Sequence, residues 1–402
     1  MKHLFFLLTL LLCLPLAAQQ TYRARVVDAE TGEALPHAIV HLPGGNNMMT
    51  DASGVLCVKA KEGKEICVKS IGYNQVKVKV NQMGTSILLS PYVDIMEELQ
   101  PAQALDIMAK VLEKLKRELP RHHNSTSHYF SRLSVNCEEK HEMAEIFHTS
   151  RSMLNLHGSV YHIGRRFTWP KNVEQDSSFF NSNLQQLLEC GPASILYSEH
   201  KDDGRPIHLH VSGLNSRSSL FYSSLLQTPD YMCYGISLAD VNGRKIYRIK
   251  LARVQKRGVP YIEGIVNVDA QSSHILSFEG VMCNYVIDLQ SDQGVRSLPA
   301  TISTRITYTH SRGFAEVESV VCEAEAENLQ CSVATLNLHN TKLPFEAKNS
   351  AYDHMLESLN EVGYDTALWE KSIIIQRSTG EDIIAGNGKT EVKNSHMRLP
   401  SR

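Results

Sequence analysis

"RVVDAETGEALPHAIVHLPG", Arg25 to Gly44, decides how the first part of this chain is read. Arg23 to Val27 carries short-range alternation, "DAETGE" is turn chemistry, Ala38 to Leu42 alternates again, and "PGGNN" makes a second turn. The same grammar continues downstream. "TDASG" (Thr50 to Gly54) precedes "VLCVKA", "KEGKE" separates that run from "ICVKS", and "IGYNQVKVKVN" places Val76, Val78 and Val80 on one side with Lys77 and Lys79 between them. Period-two alternation gives each strand one buried and one wet face. Seven or so short strands in about 70 residues make a β-sandwich. Gly32 and Gly54 stand where the turns need positive φ, Asp28 and Asp51 can accept backbone N–H bonds across those turns, and Pro36 stiffens the entry to a strand.

Those residues carry a resemblance. "VVDAETGEALPHAIVHLPG", "TDASGVLCV" and "GKEICVKSIGY" together resemble the carboxypeptidase regulatory-like domain, a transthyretin-type sandwich of the prealbumin class. Asp28, Thr31, Gly32, Pro36, Ala38, Thr50, Asp51, Gly54, Gly72 and Tyr73 fall at that family's signature positions. The resemblance implies a structural module that accompanies many exported proteins and has no catalysis of its own.

The chain has 402 residues, which suggests two or three domains of about 100 to 200 residues each. Hydrophobic residues at 42% and charged ones at 21% are an ordinary globular composition, and a net charge of -2 without a long basic run argues against nucleic acid as a partner. Residues 1–19 have Lys2 followed by an apolar run from Leu4 to Leu14 and then small residues at Ala17 and Ala18. This is the layout of a secretory signal peptide, too short to span a bilayer. The expected address is the periplasm of a Gram-negative bacterium or its outer membrane, in peripheral association.

Nine cysteines, of which Cys13 lies in the leader, leave eight in the exported chain with no CxxC and no zinc-type spacing. In "GVLCVKAKEGKEICVKS" the residues Leu56, Val58, Ile66 and Val68 read as the buried face, so Cys57 and Cys67 project to the other side. A hairpin about Glu62 would set them opposite each other within disulfide reach; strands in different sheets would not.

After the sandwich (20–92) a connecting helix is expected over 99–120. Pro101 suits its first turn, Leu105, Met108, Leu112, Leu115 and Leu119 recur at helical spacing, and Pro120 stops it. Residues 125–345 then read as a larger curved antiparallel β domain, an open or half barrel, with Asn242-Gly243 as a hairpin turn. Residues 346–402 read as a partly helical segment with a flexible tail. "YFSR", "GRKIYRIKL", "YIEGIVNVDAQSSHIL" and "YDTALWEKSIII" are similar to exported proteins that carry the regulatory-like domain at their N-terminus, whose β domain resembles lipoprotein-carrier folds.

No catalytic constellation stands out. "HEMAEIFH" has Glu145 where the second histidine of HExxH belongs, and as a strand it places His148 opposite His141 and Glu145. "HMLE" (His354 to Glu357) lacks a downstream third ligand domain, and "HKDDGRPIHLH" puts His208 and His210 on one side of a strand at the end of a polar loop. There is no GxSxG and no phosphate-binding glycine loop. The reading is therefore a mostly β, non-enzymatic envelope protein that needs no cofactor or metal and binds or scaffolds another envelope protein or a glycan. The alternative is a periplasmic lipid or lipoprotein carrier that uses the curved sheet. A hydrolase in the polar stretch from Lys171 to Arg217 is the third reading.

Overall fold

The computed structural model describes residues 20–99, 101–123, 126–137, 140–150, 160–169, 231–253, 261–291, 294–339 and 374–386. Seven short strands open it: β1 (Gln20–Asp28), β2 (Ile39–His41), β3 (Asn47–Met49), β4 (Val55–Ala60), β5 (Glu65–Lys69), β6 (Val76–Lys79) and β7 (Ser86–Leu89). They divide into a three-stranded sheet, β4-β1-β7, and a four-stranded sheet, β3-β2-β5-β6. Val26, Val40, Leu56, Val58, Ile66, Val68 and Leu89 fill the space between the sheets, each at most 1% exposed.

The turns are held as their residue types dictate. Asp28 Oδ1 accepts from the N–H groups of Glu30 (2.7 Å) and Thr31 (3.1 Å), and Asp51 Oδ1 accepts from those of Ser53 (2.9 Å) and Val55 (2.7 Å). Gly32, Gly54 and Gly72 all have positive φ. At Gly54 there is also no room, since a Cβ would stand 2.8 Å from the Val26 carbonyl oxygen.

Of the two arrangements open for Cys57 and Cys67, the structure has the one with the strands in different sheets. β4 pairs with β1 and β5 with β2 and β6, so the two residues belong to different sheets and both thiols are free. The apolar face was read correctly, but "KEGKE" crosses from one sheet to the other and makes no hairpin.

β8 (Val93–Leu99) leaves the sandwich and becomes one edge of an eleven-stranded antiparallel sheet, ordered β11-β10-β9-β18-β17-β16-β15-β14-β13-β12-β8. The other strands are β9 (Ser127–Cys137), β10 (Lys140–Ser150), β11 (Val160–Trp169), β12 (Tyr231–Val241), β13 (Arg244–Arg253), β14 (Tyr261–Asp269), β15 (Ile275–Ser291), β16 (Gly294–Thr309), β17 (Glu316–Ala326) and β18 (Leu329–Asn337). Among the described residues the sheet runs from β11 at one edge to β8 at the other and does not close into a barrel. Asn242 (φ 53°) and Gly243 (φ 79°) make the tight turn between β12 and β13.

Helix α1 (Pro101–His123) carries the chain from β8 to β9, which lie on opposite sides of the β12–β18 meander. Eight inter-strand steps are about 38 Å along the sheet and 23 helical residues about 34 Å, so the helix fits as a chord across a curved sheet. Its contacts follow that line: it packs on β12, Lys114 Nζ donates to the Ser272 carbonyl (2.8 Å), and Glu118 Oε2 accepts from the Ala315 N–H (3.0 Å). Ala104, Met108, Val111 and Leu115 are buried along it. Pro120 does not stop the helix, which continues to His123. A proline in the last turn removes one backbone donor and crowds one carbonyl, a local cost that the chain bears while crossing the sheet.

Candidate functional site

Alternation in β2 and β3 puts two environments back to back. Val40 and Met48 point into the sandwich core, while Ile39 and Met49 point out of it and pack on Phe130, Phe147, Val321 and Leu336 of the large sheet. The sandwich is thus docked by an apolar patch.

An ion cluster lies beside that patch. The register of β16 on β17 slips between Thr307 and Tyr308, so that Thr307 faces Ser319, Tyr308 faces Val317, and Glu318 is left over in a bulge. Bulges re-aim side chains. Here Glu318 meets Lys69 Nζ and His41 Nε2 (3.3 Å) of the sandwich and His339 Nε2 (3.8 Å) just past the end of β18. Burial works to raise the Glu318 pKa, but Lys69, His339 and His41 hold it down at about 2. Burial and Lys69 push His41 below the usual histidine value.

A second cluster ties down residues 374–386. Arg132 donates to Glu145 and to the carbonyls of Ile375 (2.6 Å) and Gln376 (2.8 Å). Glu145 also accepts from Arg165 Nε (2.6 Å) and from Arg377 (2.7 and 2.9 Å). Burial would raise the carboxyl, yet Arg132, Arg377 and Arg165 keep it at about 2. Ile375 makes a parallel bridge to Met49 at the edge of the four-stranded sheet, with Met49 N–H to Ile374 O at 2.8 Å and Gln376 N–H to Met49 O at 2.9 Å. Helix α2 (Thr379–Ile384) then starts with a capping box of Ser378 and Glu381. The segment is a strap over the junction.

Between sandwich and sheet, next to this docking patch, lies a cleft of about 590 Å³. His37, Lys69 and Tyr73 line it from the sandwich, and Arg244, Arg305 and Tyr308 from the sheet. Its cations already have carboxylates: Lys69 has Glu318, Arg244 has Asp269, and Arg305 has Glu323 at 3.6 Å. Two neutral groups in the lining differ from these. Among the described residues the Tyr308 hydroxyl, on a side chain 5% exposed, has no hydrogen-bond partner, and neither has His310 Nε2. His310 stacks on His274 with ring centroids 4.0 Å apart. Burial, with His274, Arg244 and Lys114, pushes its pKa down to about 3, so it is neutral at physiological pH. Buried polar groups are nearly always paired, and unpaired ones in a cleft mark a place for a ligand or water.

No family model and no curated protein matches this chain. Among solved structures, a DUF1329 family protein from Desulfovibrio piger is similar at 12% identity, over 61% of this chain and 96% of that one, with a TM-score of 0.21. A likeness at that score carries no argument about function.

The residues singled out in the sequence separate into two groups. Pro36 and Tyr73 reach the cleft, and the Tyr73 hydroxyl donates to Asp28 Oδ2 (2.8 Å), coupling two signature turns. Asp28, Gly32, Asp51, Gly54 and Gly72 shape turns and do not line it. "HEMAEIFH" is a strand, β10. His141 hydrogen bonds Asn136 (3.0 Å), while His148, on the other face, bonds Ser131 (2.8 Å) and stacks on Tyr129. Among the described residues no three His, Cys, Asp or Glu side chains converge on a point that could hold a metal. "HMLE", "HKDDGRPIHLH" and the stretch from Lys171 to Arg217 lie outside the described residues, as do the leader and Cys13. The sequence reading missed Tyr308, His310, Glu318 and the Arg132–Glu145–Arg377 cluster. "TYTHSRG", an aromatic and a histidine running into a turn, was the available signal for the first two.

Proposed function

We propose that this is a non-enzymatic exported protein of the cell envelope that binds its ligand in the cleft between sandwich and sheet. The observation that carries the reading is the Tyr308 hydroxyl, buried in the cleft wall without a partner. Support comes from the ionisable residues around it. Lys69 and His41 pair with Glu318 across the two layers, and Arg244 and Arg305 pair with Asp269 and Glu323 within the sheet, so these charges serve structure rather than stand as poised proton sites. The leader-like start supports export, and among the described residues no helix is long and apolar enough to cross a membrane.

The carrier reading has less support, because it needs open apolar surface on the sheet. Along β9, β10, β17 and β18 both parities are buried: Phe130 and Phe147 on one side, Leu133, Ile146, Cys322 and Val333 on the other.

Native mass spectrometry of protein isolated gently from the envelope tests the proposal. A bound small molecule is expected, and it should disappear in Ser70→Trp, which fills the cleft. A ligand retained by that variant, or hydrolysis of an envelope polymer by the purified protein, would overturn it.

A further inference from the structure

We infer that the ligand of this cleft is an uncharged saccharide. The inference rests on the binding role proposed above and adds its chemistry.

Three properties of the wall lead there. The first is polarity. With the tyrosine hydroxyls counted, hydroxyl and amide side chains, among them Ser70, Gln75, Asn242, Ser277 and Thr307, outnumber the aliphatic ones, whereas a site for a lipid chain or drug-like apolar molecule is lined predominantly by apolar groups. The second is charge: beside its three cations the wall carries the carboxylate of Glu279, which disfavours an anion further. A carboxylate or phosphate site needs cations with unspent charge, and Lys69, Arg244 and Arg305 each already face an acid. Bringing in an anion would pull these cations away from buried Glu318 and Asp269 or leave the new charge beside them.

The third is the nature of the groups that lack partners. A tyrosine hydroxyl and a neutral imidazole nitrogen each donate or accept a single uncharged hydrogen bond, which matches sugar hydroxyls and acetamido groups. Tyr73 and Tyr92 add ring surface to the wall for the apolar C–H faces of a pyranose. The volume of about 590 Å³ lies within the range of small-molecule sites.

The test is isothermal titration of the purified protein with cellobiose, maltose, lactose and N,N′-diacetylchitobiose, with glucuronate, inorganic phosphate and decanoate as charged and lipid-like comparisons. At least one neutral disaccharide should bind, and Tyr308→Phe should weaken it about three- to tenfold, the worth of one neutral hydrogen bond. The same variant should leave the ligand-free melting temperature unchanged or raise it, because it removes a buried hydroxyl that has no partner. A role for Tyr308 in folding alone would lower that temperature and leave affinity unmoved. Sugar binding that is insensitive to both Tyr308→Phe and Ser70→Trp overturns the assignment. So does cleft binding of only phosphate, glucuronate or decanoate, although the binding role would then stand. Failure of every probe, together with no ligand in native mass spectrometry, removes both.

Discussion

The sandwich and the eleven-stranded sheet alternate polar and apolar residues in the same way but put the polar ones to different use. In β6, Lys77 and Lys79 stand in water between valines, and the buried carboxylates of the sandwich, Asp28 and Asp51, hold backbone N–H groups of turns rather than cations. In β10 and β17, Glu142, Glu145, His148, Glu316 and Glu318 are each at most 1% exposed. The sheet is covered on both faces at this end, so its polar positions become buried ion and hydrogen-bond clusters. An alternating strand therefore has one wet face only when nothing packs on that side. The sandwich is held by apolar burial and turn geometry, the junction by charges that must stay paired.

The sharpest way to break this contrast is Glu145→Gln. It leaves Arg132, Arg165 and Arg377 gathered without their shared acid, and losing one member of a buried ion cluster costs about 3 to 5 kcal/mol. Denaturant unfolding of the full chain should show a loss of that size. A loss below about 1 kcal/mol would mean that the cluster behaves like exposed surface pairs, and the distinction between the two regions would fail.

Gly54→Ala probes the sandwich on its own terms. Positive φ and a carbonyl oxygen 2.8 Å from the new Cβ predict a loss of about 1 to 3 kcal/mol. Thermal unfolding measures it. Gly32→Ala, at a similar φ with nothing within 4 Å, should cost less. Equal losses at the two sites would show that φ alone decides, and that the close approach of Gly54 to β1 does not matter.

What could be read in advance follows the same division. Asp28, Gly32, Asp51, Gly54 and Asn242-Gly243 act through their own backbone and near neighbours, so their roles were legible residue by residue. The strands of the meander were legible from alternation, and α1 from its spacing. Glu145 was noticed only as the wrong residue in a zinc motif, because its partners come from Arg132, Arg165 and Arg377, the last 232 positions away. Tyr308 lacks any local signature, since what marks it is the absence of a partner in a folded cleft. Whether Cys57 and Cys67 share a sheet stayed open in the sequence, because sheet membership is set by pairing with β1 and β2, far from the turn between them.

Acid should separate the regions without mutation. Glu145 and Glu318 both have carboxyls held at about 2, below the ordinary glutamate value near 4.3. A depressed carboxylate contributes stability that is complete above its unfolded pKa and is lost as pH falls towards its folded one. Docking should thus weaken between about pH 4.5 and 2, while the sandwich has a smaller liability of the same sign at Asp28, whose carboxyl the Glu30 N–H, the Tyr73 hydroxyl and the Thr31 N–H hold below its usual value. Hydrogen exchange reads this directly: the amides of Met49 and Gln376, bonded across the strap, should lose protection before those of Val26 and Leu35 inside the sandwich. Simultaneous loss would make the whole chain one cooperative unit.

The smallest effect is expected at Cys57 and Cys67. Their neighbours in sequence, Leu56, Val58, Ile66 and Val68, are all within 1% of full burial, so alternation turns both thiols outward from the sandwich core, on two different sheets. They point away from each other across that core and cannot approach bonding distance without unfolding it. Burial raises the Cys67 pKa, which keeps it a thiol and slows its oxidation. Cys57→Ser and Cys67→Ser, singly or together, should change stability by no more than about 0.5 kcal/mol. Alkylation in denaturant without reductant should label both residues, and peptide mapping should find no cross-linked pair. A cross-link between them would require β4 and β5 to share a sheet as a hairpin. That would undo the partition on which the contrast between a self-contained sandwich and a charge-locked sheet depends.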